Sequence, residues 1–186
     1  MRSSVASVFS VVNQILATLD MMTDRGAQLW YFAYGSNMSR AIFVDRRGMR
    51  PSEVTWGWLQ GYRLCFDLPV GPGERGVANV VCDACAQTCG VLYRITAEEA
   101  ERLDRSEGVP GGYYRRIDVT VVAPPHGPIT AFTYQSTHSS PGRKPSPRYI
   151  GLLLDGARLH GLPDTYVAFL DAFELAVDER PEQARR

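Results

Sequence analysis

Residues 29–38 have the sequence Leu29-Trp30-Tyr31-Phe32-Ala33-Tyr34-Gly35-Ser36-Asn37-Met38. The segment is apolar and aromatic up to Tyr34 and then breaks at a glycine, which is typical of a buried strand that ends in a turn. Asn37 or Ser39 is a suitable N-cap for a short helix that Gly48 would end. Such a turn presents unpaired backbone N–H groups, which bind a carboxylate or stabilise an oxyanion. An ordinary strand-to-helix turn explains the same residues equally well.

The composition favours one globular domain with no strong electrostatic field. The chain has 186 residues, of which 45% are hydrophobic, and its formal net charge is zero. A balanced charge gives no general attraction to nucleic acid or to an anionic membrane, and no apolar run approaches the roughly 20 residues that span a bilayer. We therefore expect neither partner. The predicted organisation is an N-terminal extension at 1–26, helical or disordered, a domain at 27–177 and a charged tail at 178–186.

Three of the four cysteines, Cys82, Cys85 and Cys89, form a Cys-x2-Cys-x3-Cys pattern. Structural zinc sites usually pair two such clusters or add histidines at set spacing, and the histidines of this chain do not follow that spacing. The pattern therefore leaves three alternatives open: a metal site, a disulfide or free thiols. Free thiols are the default in the cytoplasm, the compartment that we expect for this protein.

Closely spaced strand patterns with intervening turn signals follow the opening segment. Gln60-Gly61 is a turn signal between two of these strands, and the strands at 77–82 and 88–95 are expected to form a hairpin. Such an arrangement is typical of a small barrel or a strongly curved antiparallel sheet. The predicted fold class is therefore α+β, with a small, mostly antiparallel β-barrel flanked by a few short helices. The predicted strands after the opening segment are residues 54–59, 62–68, 77–82, 88–95, 113–122 and 129–135.

Helix signals occur at three further places. Thr96 and Glu99 form a capping box that begins a helix at 97–106. Ser146-Pro147 combines an N-cap with a proline at the first helical position and begins a helix that continues to Gly161. A last helix is expected at about 164–175, where apolar residues recur at helical spacing.

Glu107 is the strongest candidate for acid–base chemistry. It follows the helix at 97–106, where the negative end of the helix dipole favours the protonated form of a carboxyl group. A carboxyl group of this kind is suited to take a proton and return it. A solvent-exposed loop glutamate is the alternative interpretation.

Four separated segments carry motifs that occur together, in this order, in one known family. The first contains the aromatic strand and its turn, the second a strand pair, the third Glu107 and the fourth two helix starts. The segments are 31–37; 76–80 with 89–93; 107–114; and 146–149 with 161–163.

Together these segments resemble the gamma-glutamylcyclotransferases, and the resemblance covers about residues 29–173. It implies that the alpha-amine of a small gamma-glutamyl amide or dipeptide attacks its own gamma-carbonyl, releasing 5-oxoproline and an amine or amino acid. Glu107 would be the catalytic residue, and no metal or organic cofactor would be needed. A homodimer is one assembly that the sequence allows. The substrate-binding residues implied are Tyr31, Phe32, Ala33, Tyr34, Gly35, Ser36, Asn37, Tyr114, Tyr134 and Tyr149.

Two alternatives stay open at this point. The same scaffold could remove a gamma-glutamyl protecting group from a biosynthetic intermediate, since the cysteine-bearing segment and the loop at 136–145 could reshape the leaving-group side of the site. The chain could also be a non-catalytic binding module. Retention of Glu107 beside an intact Tyr-Gly-Ser-Asn turn argues against that last hypothesis, because binding alone does not need the acid.

Overall fold

Five strands close into a barrel in a computed structural model that describes residues 26–71 and 73–177. The strand order around the barrel is β1-β3-β2-β4-β5. Neighbouring strands are antiparallel except for the parallel contact of β1 with β5, which closes the barrel. The predicted α+β fold with a mostly antiparallel barrel is confirmed. The strands are β1 (Gln28–Ala33), β2 (Glu53–Pro69), β3 (Gly76–Thr96), β4 (Tyr114–Ala123) and β5 (Gly127–Ser136).

The predictions for the two ends of the chain concern residues that the structure for the most part does not describe. The extension predicted at 1–26, apart from Gly26, and the tail predicted at 178–186 lie outside the described residues.

Strands β2 and β3 are longer than predicted, and two expected chain reversals are wrong. The predicted Gln60-Gly61 turn is a continuous part of β2 that faces a bulge of β3, and Gly61 adopts a φ of 76° there. The predicted hairpin at 77–95 is a single strand whose two halves both pair with β2. Its register passes from Gln60↔Gln87 to Tyr62↔Cys82, so residues 83–86 stand opposite Gly61 alone.

Three α-helices flank the barrel: α1 (Ala97–Ser106), α2 (Pro147–Leu159) and α3 (Asp164–Asp171). The predicted capping box of α1 is confirmed, because Glu99 N–H donates to Thr96 Oγ1 at 3.2 Å and Thr96 N–H donates to Glu99 Oε2 at 3.1 Å. Helix α3 ends at Asp171, four residues before the predicted position 175. Phe173, which follows the helix, packs its ring against Phe66 with 4.8 Å between the ring centroids. Helices of the length and apolar character needed to cross a bilayer do not occur in the described part of the chain.

The short helix after β1 begins differently from the prediction. The segment forms a 3₁₀ helix at Ser36–Met38 and a π-helix at Ala41–Arg46, and Gly48 follows with a φ of 67°. Neither Asn37 nor Ser39 acts as the predicted N-cap. Asn37 lies inside the 3₁₀ helix, and its side-chain amide instead bonds to groups outside the turn.

Helix α2 presses directly on this turn through Gly156. A Cβ built on Gly156 would lie 2.5 Å from the carbonyl carbon and 2.6 Å from the carbonyl oxygen of Met38. Only a glycine permits backbones to approach so closely. The contact holds the end of the turn against a buried helix face.

Among the described residues, all four cysteines carry free thiols: Cys65, Cys82, Cys85 and Cys89. Burial raises the pKa of the Cys89 thiol to about 12, so this side chain behaves as a small apolar residue of the core. Within the same residues, no group of three or more histidine, cysteine or acidic side chains could hold a metal ion. The described structure therefore contains neither the disulfide nor the metal site that the spacing left open.

Candidate active site

A small cavity of about 30 Å³ lies where β1 passes into the 3₁₀ turn. It brings together eight of the ten predicted binding residues and the predicted catalytic residue. The other two, Phe32 and Ala33, are fully buried beside it, and the Phe32 ring packs over the backbone at Gly90. The lining residues are Tyr31, Tyr34, Gly35, Ser36, Asn37, Ala78, Glu107, Tyr114, Tyr134 and Tyr149.

Glu107 joins this cavity from the end of α1. It is the C-cap residue of the helix, and Gly108 follows in the left-handed conformation. Its carboxylate turns toward the 3₁₀ turn, where the Asn37 side-chain amide donates to Glu107 Oε1 at 2.9 Å. The same amide donates to the Tyr31 hydroxyl at 2.8 Å. Two segments that lie 70 positions apart in the sequence therefore meet in one site.

Arg47 also binds this carboxylate. Its guanidinium lies 2.8 Å from Glu107 Oε1, and both side chains are mostly buried, with 19% and 15% of their surfaces exposed. A second guanidinium nitrogen donates to Ser106 Oγ, which fixes the arginine to the end of α1. The cation compensates the charge of the carboxylate in a site that is largely shielded from water.

The tyrosine hydroxyls of the site differ in the hydrogen bonds that they make. Tyr114 donates to the Ala78 carbonyl at 2.8 Å, and Tyr134 donates to Asp104 Oδ1 at 2.6 Å. The Tyr149 hydroxyl instead accepts from Ala78 N–H at 3.1 Å. The Tyr31 hydroxyl likewise accepts from the Asn37 amide, and Tyr149 is also hydrogen-bonded to Ser36.

Burial sets the protonation of these hydroxyls. It raises the pKa of Tyr31 and Tyr149 above the ordinary value, and the nearby charge of Glu107 adds to the rise. Burial likewise raises the pKa of Tyr114, reinforced by the neighbouring Tyr149. The site therefore keeps its phenols neutral and able to donate hydrogen bonds near neutral pH.

Several known proteins that resemble this chain are gamma-glutamylcyclotransferases. The model of the AIG2-like family matches residues 87–170, a range that includes Glu107. The gamma-glutamylcyclotransferase of Bos taurus is 33% identical over 162 residues, which cover 83% of this chain and 84% of that protein. The corresponding enzyme of Mus musculus is 34% identical over 158 residues, with 80% of each chain covered. The chain belongs to the gamma-glutamylcyclotransferase family.

Solved structures agree with this assignment. The structure of a gamma-glutamyl cyclotransferase matches with a TM-score of 0.72 and 27% sequence identity, and the match covers 84% of this chain and 93% of that one. The present chain is therefore a gamma-glutamylcyclotransferase with the barrel of that family.

Three contributors to this gamma-glutamylcyclotransferase site were missed by sequence reasoning. Arg47 and Ala78 come from the π-helix end and from β3, and nothing in the local sequence indicates that they approach Glu107 or the tyrosines. Asp104 holds Tyr134 in place and is itself bound by both Nε and Nη2 of Arg116, at 3.2 and 2.7 Å. An acidic residue on the helix that precedes Glu107 was the only available signal for this last contact.

Proposed function

We propose that Glu107 transfers protons in an intramolecular cyclisation of a gamma-glutamyl amide. The observation that carries the proposal is the enclosed contact between the Glu107 carboxylate and the Asn37 amide, beside the tyrosine hydroxyls of the same cavity. A carboxylate shielded from water, next to a turn that can bind an anion, is the arrangement that this reaction needs.

The proposed steps conserve every atom of the substrate. Glu107 takes a proton from the alpha-ammonium group, and the nitrogen lone pair attacks the gamma-carbonyl carbon. The tetrahedral oxyanion collapses, the amide C–N bond breaks, and Glu107 returns the proton to the leaving nitrogen. The second proton of the ring nitrogen follows by the same route, so the lactam is neutral and the amine leaves as an ammonium ion. The products are 5-oxoproline and a free amine or amino acid. Water is not consumed.

The turn and Tyr149 are suited to the charged groups of such a substrate. The backbone N–H groups at 34–37 would bind the alpha-carboxylate or the developing oxyanion, and the Tyr149 hydroxyl would donate a hydrogen bond in the same region. Holding the amine against its own carbonyl would supply several kcal/mol of the barrier reduction, a modest part of the roughly 7–11 kcal/mol that ideal orientation can provide.

An isotope experiment tests the cyclisation directly. Gamma-Glu-Ala is incubated with the enzyme in water labelled with oxygen-18, and the products are analysed by mass spectrometry. We expect 5-oxoproline without label, because the ring closes on the substrate's own amine. Glutamate carrying labelled oxygen would show hydrolysis instead and would contradict the proposal.

The preferred leaving group distinguishes a cyclotransferase of gamma-glutamyl dipeptides from an enzyme that removes a gamma-glutamyl protecting group. Faster release of 5-oxoproline from gamma-Glu-Ala than from a gamma-glutamyl amine would favour an enzyme of dipeptides, and the reverse order would favour deprotection.

A cytoplasmic location is part of the same proposal and is supported by the free thiols of the described residues. The zero net charge supports a small-molecule substrate rather than nucleic acid.

A further inference from the structure

A second, larger groove adjoins the candidate site. It has a volume of about 680 Å³ and shares Ser36 and Tyr149 with the small cavity, while Arg47 lies between the groove and Glu107. A substrate whose gamma-glutamyl part occupied the small cavity would therefore extend its leaving group into this groove. The volume falls within the range of about 300–1,000 Å³ that is usual for ligand sites.

The charged side chains that line the groove all carry the same sign of charge. Every charged side chain among the described residues that line it is an arginine: Arg46, Arg47, Arg75, Arg102 and Arg148. The whole chain carries equal numbers of basic and acidic residues, so this concentration does not follow from a generally basic protein. Arg47 is engaged by Glu107, and Arg102 lies 3.7 Å from carboxylates of its own helix. Beyond these two arginines, the groove is still lined by Arg46 and Arg148 and by no acidic side chain among the described residues.

Arg148 occupies a position that helix stability disfavours. It is the second residue of α2, whose first turn contains no acidic residue. A cation there faces the positive end of the helix dipole, which stabilises anions instead. In the described part of the chain, neither Arg148 nor the exposed Arg46 has a carboxylate within ion-pair distance. Local stability therefore does not explain an arginine at this position, whereas an anionic ligand in the groove does.

We propose that this groove selects gamma-glutamyl substrates whose leaving group carries two or more negative charges. The inference rests on the proposed function, because it assumes that the gamma-glutamyl part occupies the small cavity. Every gamma-glutamyl amino acid carries at least one carboxylate on its leaving group. Arg46 and Arg148 provide the additional positive charge that a second carboxylate, or a phosphate, would meet.

The test compares gamma-Glu-Glu with gamma-Glu-Gln, which have nearly the same shape and differ by one charge in the leaving group. If each exposed arginine contributes about threefold, as exposed ion pairs do, kcat/KM for gamma-Glu-Glu should be about tenfold higher. This ratio should fall as the salt concentration rises from about 0.01 M to 0.5 M, because salt screens exposed charges. Equal kcat/KM values at low salt would overturn the inference.

Variants assign the effect to the groove. The double variant Arg46→Gln/Arg148→Gln should lower the ratio to about two or less, since it removes both exposed cations. Arg158→Gln, at the other end of α2, is the matched control and should leave the ratio unchanged. Arg148→Gln should also melt no lower than the parent protein, because it removes an unfavourable charge from the helix start. An undiminished ratio in the double variant would contradict the inference.

Failure of the proposed function gives a different result. If neither dipeptide yields 5-oxoproline, the cyclisation proposal is refuted, and calorimetric binding of both dipeptides to the Glu107→Gln variant then tests the groove alone. Tighter binding of gamma-Glu-Glu supports the charge selection, and equal binding overturns it.

Discussion

The contact between α2 and the 3₁₀ turn provides a quantitative test of how the site is held. In the Gly156→Ala variant the new Cβ would lie 2.5 Å from the Met38 carbonyl carbon, and neither group can rotate away. Carbon atoms in contact normally stand at least about 3.5 Å apart, so helix and turn must separate by about 1 Å. Overpacking of this kind lowers the free energy of unfolding by about 1–3 kcal/mol, while the higher helix propensity of alanine raises it by about 1 kcal/mol. We expect a net loss of unfolding free energy of up to about 2 kcal/mol.

The same helix contains the matched control. A Cβ at Gly151 would meet nothing within 4 Å, so Gly151→Ala should be neutral or stabilise the protein by up to about 1 kcal/mol. Denaturant unfolding measures both variants, and 5-oxoproline release is followed at a temperature where both are folded. Because the displaced turn carries Asn37, kcat/KM of Gly156→Ala should fall by about 10- to 100-fold, the cost of a 1 Å misplacement. If Gly156→Ala matches Gly151→Ala in stability and rate, this account of the turn is wrong.

Two further predictions concern the tyrosines. Tyr149→Phe should lower kcat by about 100- to 1,000-fold, on the scale of one lost transition-state donor. The exposed control Tyr113→Phe should leave the rate unchanged, and a fully active Tyr149→Phe enzyme would exclude the hydroxyl from the chemistry. Stability should fall above about pH 10, because the buried tyrosines Tyr31 and Tyr149 have a raised pKa in the folded state, whereas the unfolded chain loses these protons near that pH. The stabilisation is thus complete below about pH 10 and is lost by about 1.4 kcal/mol per pH unit for each such tyrosine above it, which denaturant unfolding at several pH values would measure.

Local signals in the sequence predicted much of the fold. The capping box of α1 and the Ser-Pro start of α2 depend on residues within a few positions of each other, so the sequence suffices to place them. Strand β4 was also recognisable, since Val119 and Val121 are buried and alternate with exposed neighbours. Gly61 was misread because a glycine with positive φ serves a chain reversal and a position opposite a bulge equally well.

The candidate site also has parts that the sequence predicted and parts that it did not. The turn at 34–37 and Glu107 each have a local motif, and the family resemblance placed them in one site. Arg47 and Ala78 could not be predicted, because their roles arise only when the end of the π-helix meets the end of α1 and β3 meets Tyr149 of α2. The sequence also did not show which tyrosine hydroxyls donate their protons in hydrogen bonds. Sequence treats Tyr114, Tyr134 and Tyr149 alike, whereas distant acceptors, the Ala78 carbonyl and Asp104, distinguish them in the structure.

The most direct test of Glu107 as the proton-transfer group measures binding and turnover on one sample of Glu107→Gln. Glutamine keeps the shape of the side chain and still accepts a hydrogen bond from Asn37, but it cannot take the ammonium proton. Glu101→Gln, an exposed position on α1, is the matched control. We expect Glu107→Gln to remain folded, to bind a gamma-glutamyl dipeptide within a few-fold of the parental affinity and to release no 5-oxoproline. Release at the parental rate by this variant would contradict the central claim.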